Sequence, residues 1–292
     1  MTLLDGKALS AKIKEEVKVE VATLVQEKQI TPGLAVILVG NDAASATYVA
    51  SKAKGCKEAG IYSVVHEMPD TITQEELLDT IAMMNKNPKL DGILVQLPLP
   101  KHIDTTVVLE AIDPLKDVDG FHPYNVGRMV SNLDSFLPAT PFGVMRMFEE
   151  YGIELSGKNV VVIGSSDIVG KPMASLLINA KATVTVCNSR TKDLASHTKA
   201  ADIVVIAVGV PLMLKGDMLK DGAVVIDVGI NRLDTGKLVG DADFEDCKDK
   251  CTHITPVPGG VGPMTIGMLL KNTVTAASLS KGLGSWSCKS IA

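Results

Sequence analysis

Short aliphatic runs rich in Val and Ile alternate with helical segments along the whole chain. LAVILV (34–39), GILVQ (92–96), NVVVIG (159–164), ATVTVC (182–187), DIVVIAVG (202–209) and AVVIDVG (223–229) are continuous in apolar character rather than alternating. A strand of that kind is stable only with both faces covered. Alternation with helices gives right-handed β–helix–β crossovers and parallel sheets. The pattern therefore predicts an α/β chain, and its 292 residues suit two domains at the usual ~150 residues each.

The helices carry their own signals. Leu9, Ile13, Val17, Val21, Leu24 and Val25 recur at helical spacing over residues 7–28. Residues 43–59 read as a helix capped by Gly60. YSVVHEM (62–68) is a further strand candidate, and Thr73 with Glu76 forms a capping box that opens a helix to about Asn85. Prolines at 98, 100, 114, 123, 138 and 141 break residues 97–141 into loops and short elements. The alternation then restarts, with helices near 143–151, from about 170, near 192–199 and over 264–280. These place the domain boundary near Thr140.

Composition excludes several classes. Apolar residues make up 46% and the net charge is only −5, so the chain is not disordered. It has no apolar run of ~18 residues, which argues against a membrane span, and charges in MTLLDGKALSAKIKEEV argue against a signal peptide. A slightly acidic chain with 3% aromatics offers little to nucleic acid. Five scattered cysteines, Cys56, Cys187, Cys247, Cys251 and Cys288, and five isolated histidines form no disulfide framework and no zinc spacing. The expectation is a cytoplasmic protein with reduced thiols and no metal.

Candidate chemistry lies in both halves. In IGSSDIVGKPMASLL (163–177) a strand ends at Gly164 and a helix begins near Gly170, so backbone N–H groups there can face a pyrophosphate. The six-position dinucleotide fingerprint is incomplete, because Ser166 and Val169 stand at its second and third glycine positions. About 20 residues further on, where an unphosphorylated cofactor usually meets a carboxylate, the chain reads Cys187-Asn188-Ser189-Arg190. Ser189 and Arg190 suit a 2′-phosphate and favour NADP over NAD; a merely solvated Arg190 is the alternative. In the first half, Tyr48 and Lys52 lie four apart on one helix face, with Cβ atoms ~5–6 Å apart. A partly desolvated lysine loses its proton near neutrality and can act as a base, whereas an arbitrary pair at that spacing is usually a solvated surface feature. Gln96 sits at the carboxyl end of a buried strand, where open α/β sheets bind ligands. Asp117 and Asp119 fall in the turn-rich KDVDGFHPYNVG (116–127), with too few neighbouring ligands to make a strong metal site.

Several long motifs occur together and in order: Tyr48-x-x-x-Lys52, DGILVQLPLP, KDVDGFHPYNVG, PATPFGV, GSSDIVGKPMA, VIDVGIN, VGDADF and ITPVPGGVGPMT. Over residues 2–280 the chain resembles the bifunctional methylenetetrahydrofolate dehydrogenase/methenyltetrahydrofolate cyclohydrolase family. The resemblance implies an N-terminal α/β catalytic, folate-binding domain (1–139, with 264–292 returning to it as a C-terminal helix). It implies a Rossmann-like NADP-binding domain over 140–263, with the cleft between the two, and a homodimer. It further implies oxidation of 5,10-methylenetetrahydrofolate with NADP, then hydrolysis of the methenyl product to 10-formyltetrahydrofolate. Lys52 is then the acid/base residue, positioned by Gln96, with Tyr48 placing the folate and Asp119 holding the pterin. Pro258, Gly259 and Gly260 would line the folate site, and Gly164, Ser165, Ser166, Ser189, Arg190 and Ile230 would hold the cofactor. Ala139, Ser165 and Asn188 depart from the common Cys, Arg and His of the family, so NADP preference leans on Ser189 and Arg190. A monofunctional NAD-dependent relative would lack Lys52, and a non-catalytic binding protein would not need the full set. The segment 281–292 matches no family motif and is expected to be a free end.

Overall fold

The computed structural model describes residues 1–283. In chain order it begins β1 (Thr2–Leu3), α1 (Gly6–Lys28), β2 (Gly33–Val39), α2 (Ala43–Ala59), β3 (Tyr62–Met68), α3 (Gln74–Lys86) and β4 (Gly92–Val95). Helices α4 (Thr105–Glu110), α5 (Pro123–Val130) and α6 (Ala139–Glu150) follow, then β5 (Asn159–Ile163), α7 (Gly170–Asn179), β6 (Thr183–Cys187) and α8 (Leu194–Thr198). The last part contains β7 (Ile203–Ile206), β8 (Ala223–Asp227), β9 (Asn231–Arg232), β10 (Leu238–Val239), α9 (Phe244–Cys247), β11 (Cys251–Ile254) and α10 (Val261–Ser280).

The described residues form two units, Met1–Ala11 with Pro138–Thr265, and Lys12–Leu137 with residues 266–283. The second of these is built on a parallel sheet ordered β3-β2-β4. Every residue of β2 is buried, as its unbroken aliphatic run requires. Its Ala35, Ile37 and Val39 share a core with Leu77, Ile81, Ile93 and Val95. Helix α2 starts where the Asp42 carboxylate accepts from the Ser45 N–H (2.7 Å) and stops at Gly60, in the left-handed region at φ 79°. The capping box of α3 is present in both directions between Thr73 and Glu76.

The other unit carries a parallel sheet ordered β1-β11-β8-β7-β5-β6. Val161, Ile163, Val204, Ile206, Val225 and Ile254 form its core. Its first strand comes from the start of the sequence. Residues 1–11 pack with this sheet, because Thr2 and Leu3 pair with His253 and Ile254, and the Leu4 N–H donates to the Ile254 carbonyl (2.9 Å). The compact units meet at 137/138 and 265/266, where the sequence places domain boundaries at 139/140 and 263/264.

Helix α6 begins at Ala139 rather than 143, since Pro138 sits at the cap and Pro141 in the first turn, where no N–H is needed. For the same reason α10 takes in Pro263 and begins at Val261, not 264. Cys56, Cys187, Cys247 and Cys251 are free and buried. Cys288 and the chain from 284 lie outside the described residues, so the expected free end is untested there. No helix of the described residues is long and apolar enough to cross a membrane.

Candidate active site

Tyr48 and Lys52 lie one turn apart on α2, which sets both side chains on one face. The Lys52 Nζ donates a hydrogen bond to Gln96 Oε1 across 3.0 Å. Gln96 follows the last residue of β4, and its N–H donates to the Ile37 carbonyl (2.9 Å), so the sheet ladder fixes its backbone. Its Nε2 donates to the Leu97 carbonyl (2.7 Å), which leaves the amide oxygen aimed at Lys52. An uncharged acceptor thus meets the lysine where a carboxylate would have locked it as an ammonium.

The electrostatics follow from burial. Desolvation pushes the Lys52 ammonium below its ordinary value of 10.5, with the Asp119 carboxylate acting against it. Asp119 is raised by the same desolvation, with Lys52 acting against it. The Cys56 thiol, one turn beyond Lys52, is pushed up to about 12 by burial and stays neutral. Lys52, Gln96 and Asp119 therefore form one electrostatic group, and Tyr48, 44% exposed, opens it to solvent.

Asp117 has a different job from its neighbour. It is buried and accepts from the Phe121 N–H (3.2 Å), the His122 N–H (2.9 Å) and Asn125 Nδ2 (2.9 Å). These bonds close the 117–122 turn around Asp119. They engage both carboxylate oxygens. Burial lifts the Asp117 carboxyl to about 7.

The residues expected at a cofactor all lie in the β5–β6 unit. Gly164 stands at φ +116°, and a Cβ on it would be 2.3 Å from the Ala207 carbonyl oxygen. A Cβ on Gly170 would be 2.1 Å from the Gly164 oxygen, so strand and helix meet too closely for any side chain. Ser165 is partly buried and Ser166 exposed in the turn. The Ser166 Oγ accepts from the N–H groups of Val169 and Gly170 at 3.3 Å each, so the helix start is already partly capped from within. Ile163 pairs with Cys187, and the Gly164 N–H donates to the Cys187 carbonyl (2.8 Å). That register brings the exposed Ser189 and Arg190 beside the glycine turn. Asn188 folds this segment, its Oδ1 accepting from the Arg190 N–H (2.9 Å). Ile230 is 45% exposed, and a Cβ on Gly262 would touch its Cδ1 at 2.9 Å. Pro258 is exposed and Gly259 partly buried, with the Gly259 carbonyl accepting from the Lys7 N–H (2.9 Å), while Gly260 is buried.

Two family models match the chain: the catalytic domain of tetrahydrofolate dehydrogenase/cyclohydrolase over residues 4–119, and its NAD(P)-binding domain over 138–281. The chain belongs to the tetrahydrofolate dehydrogenase/cyclohydrolase family. A family member from Aliarcobacter butzleri, the "Bifunctional protein FolD", is 87% identical, covering 96% of this chain and 97% of that one. The crystal structure of the bifunctional enzyme FolD from Campylobacter jejuni superposes with a TM-score of 0.94 at 56% identity, covering 96% of this chain and 99% of that one. The Trypanosoma brucei enzyme, complexed with NADP cofactor and inhibitor, matches with a TM-score of 0.93 at 41% identity, covering 96% and 98%.

In this family member the sequence reading missed a second carboxylate knot. Asp227, at the end of β8, accepts from the N–H groups of Gly229, Asp241 and Ala242 (2.9, 3.0 and 2.8 Å). Asp241 in turn accepts from the N–H groups of Val208 and Gly209 (2.7 and 2.9 Å) and from Asn231 Nδ2 (2.8 Å). The clue was present in VIDVGIN and VGDADF, whose aspartates sit in otherwise apolar surroundings. Burial raises Asp227 to about 6.

Proposed function

We propose that this enzyme oxidises 5,10-methylenetetrahydrofolate to the 5,10-methenyl cation with NADP and hydrolyses that cation to 10-formyltetrahydrofolate, with Lys52 as the acid/base residue. The Lys52–Gln96 hydrogen bond carries the reading, because it pairs a partly buried lysine with a neutral acceptor. A methenyl bridge is an electrophilic amidinium, so its hydrolysis needs an activated water rather than a covalent nucleophile. Neutral Lys52 takes a proton from that water as oxygen bonds to the bridge carbon. As an ammonium it returns a proton to the ring nitrogen that leaves when the carbon–nitrogen bond opens. A neutral lysine also avoids repelling the positive charge that builds during oxidation. Gln96 orients the amine, Asp119 meets the donor groups of the pterin, and Tyr48 flanks the ring system.

NADP, when bound, supplies the hydride acceptor for the oxidation. The residues present fit it: Gly164 and Gly170 bear no side chain at the two ends of the turn, where a pyrophosphate would approach the backbone, Ser165 and Ser166 lie in the turn, and Ile230 follows β8. Ser189 and Arg190 stand at the end of the neighbouring strand without a carboxylate to exclude a 2′-phosphate. Pro258, Gly259 and Gly260 are proposed on the folate side. The reading also includes a cytoplasmic homodimer that uses neither nucleic acid nor membrane. Light scattering at twice the chain mass supports the dimer, and a monomer mass removes it.

The decisive assay follows methenyltetrahydrofolate absorbance with NADP, then its decay by hydrolysis, in wild type and Lys52→Met. Near-normal hydrolysis in a folded Lys52→Met enzyme overturns the role given to Lys52.

A further inference from the structure

Helix α10 contains one polar side chain whose burial packing alone does not explain. Asn272 is fully buried, and its Nδ2 donates to two carbonyls, Val118 O (2.8 Å) and Leu137 O (3.0 Å). Its Oδ1 has no hydrogen-bond partner among the described residues. A buried, unmatched oxygen is a cost that a leucine of similar size would avoid. The asparagine's contribution is therefore its two donated bonds.

The first of these bonds reaches Asp119 directly. The Val118 carbonyl and the Asp119 N–H belong to one planar peptide unit, so holding the oxygen fixes the plane from which Asp119 departs. The Val118 side chain is held as well: a Cβ on Gly92 would lie 2.7 and 2.9 Å from its two methyls. Asp117, with its three donors, closes the loop from the other side. The same helix also seats the lysine. Gly55 lies three residues beyond Lys52 on α2, and a Cβ there would stand 3.1 Å from Ile266 Cγ2 and 3.4 Å from Leu270 Cδ1. Thus α10 packs on the bare backbone of α2 through Ile266 and Leu270, and grips the Asp119 peptide through Asn272.

We propose that Asn272 is a positioning residue that sets the separation of Asp119 and Lys52, with α10 as the common support of both. The inference rests on the catalytic reading of that pair. The groups facing Lys52 are Asp119, Cys56 and Gln96, and those facing Asp119 are Lys52 and Asp117. Cys56 is neutral and Gln96 uncharged, so Lys52 reports on Asp119.

The test reads the protonation of Lys52 without turnover, by Cε/Nζ NMR titration of labelled enzyme, with the Lys52 signal assigned by its loss in Lys52→Met. Removing the Asp119 charge in Asp119→Asn should lower the Lys52 midpoint, because the opposing charge favours the ammonium. Asn272→Ala should lower it in the same direction, by about half a unit or more. The double variant should fall no further than Asp119→Asn alone. Asn272→Ser, which keeps one donor, is the milder change and should shift the midpoint less in the same sense; it stands in if the alanine variant fails to fold. A midpoint that stays or rises in the Asn272 variants, or shifts that add in the double variant, overturns the proposal. Because no turnover is measured, either result leaves the hydrolysis assay of Lys52→Met to judge the catalytic reading separately.

Discussion

Lys52 and Gln96 meet across 3.0 Å, one from a helix and the other from the end of a buried strand, and no carboxylate stands between them. This arrangement leaves the lysine's charge state to burial and to Asp119. Replacing Gln96 by Glu reverses it. A carboxylate at that distance stabilises the ammonium, raises its pKa and shrinks the neutral fraction at pH 7–8. Gln96→Glu should cut cyclohydrolase turnover roughly tenfold or more, with the ascending limb of the pH profile moved to higher pH. A profile that overlays wild type would count against a neutral Lys52.

In wild type the same logic fixes the sign of the pH dependence. Burial holds Lys52 below 10.5, so its base form accumulates earlier than in an exposed lysine. Hydrolysis should rise with pH through that depressed midpoint. Lys52→Met should lose hydrolysis by about two orders of magnitude or more, the usual worth of a general base, while its thermal midpoint stays near wild type. Stopped-flow decay of added methenyltetrahydrofolate measures the pH profile and the loss, and a thermal melt checks the fold.

Asp117 and Asp227 govern stability rather than turnover. Each has a folded pKa above the ordinary 3.8, about 7 and about 6, so the folded state favours their protonated forms. Their contribution is fully present below the ordinary 3.8 and is lost as pH rises from there through the folded values of about 6 and about 7, at up to roughly 1.4 kcal/mol per pH unit for each group. Asp202 and Asp243, which are depressed by Lys220 and Lys215, act in the opposite sense at lower pH. Between pH 5 and 7, Asp117→Asn should flatten the fall of stability seen in wild type. Urea denaturation at three pH values tests this, and parallel curves for the two proteins would refute it.

The sequence made the sheet cores legible because continuous Val/Ile runs have few other fates. It also made α2 and α3 legible, since Asp42, Gly60, Thr73 and Glu76 are chemical end markers. The strands β1, β9 and β10 escaped because two residues carry no periodicity. The pairing of the first residues with the six-stranded sheet was not legible, because their partner, β11, lies some 250 positions away. Lys52 and Gln96 could be singled out as polar groups on a helix face and at a strand end, and Asp119 as an acid in a turn-rich loop. Asn272 could not, because within an apolar helix only its contacts separate it from a core residue.

The turn between β5 and α7 has no room for side chains at its two glycines. Gly164→Ala would press a Cβ onto the Ala207 oxygen while also holding a residue with a side chain at φ +116°, a strain of about 1–3 kcal/mol. The turn must move, so KM for NADP should rise by an order of magnitude or more. Dehydrogenase activity should then fall far more than cyclohydrolase, whose hydrolysis needs no hydride acceptor. Equal losses in both assays would show that the strain spreads beyond the nucleotide site.

Arg190 is the residue proposed to receive the 2′-phosphate. It is exposed beside Ser189 just beyond the end of β6, the strand that pairs with β5, and its backbone N–H is tied to Asn188. A charge-assisted bond to a 2′-phosphate is worth about 1.5–3 kcal/mol. Arg190→Ala should therefore lower kcat/KM for NADP roughly tenfold to a hundredfold and leave that for NAD almost unchanged. NAD lacks the phosphate, so it gains nothing from the arginine and loses nothing with it. If both cofactors lose equally, Arg190 supports the fold of the 188–191 turn and the 2′-phosphate is read elsewhere.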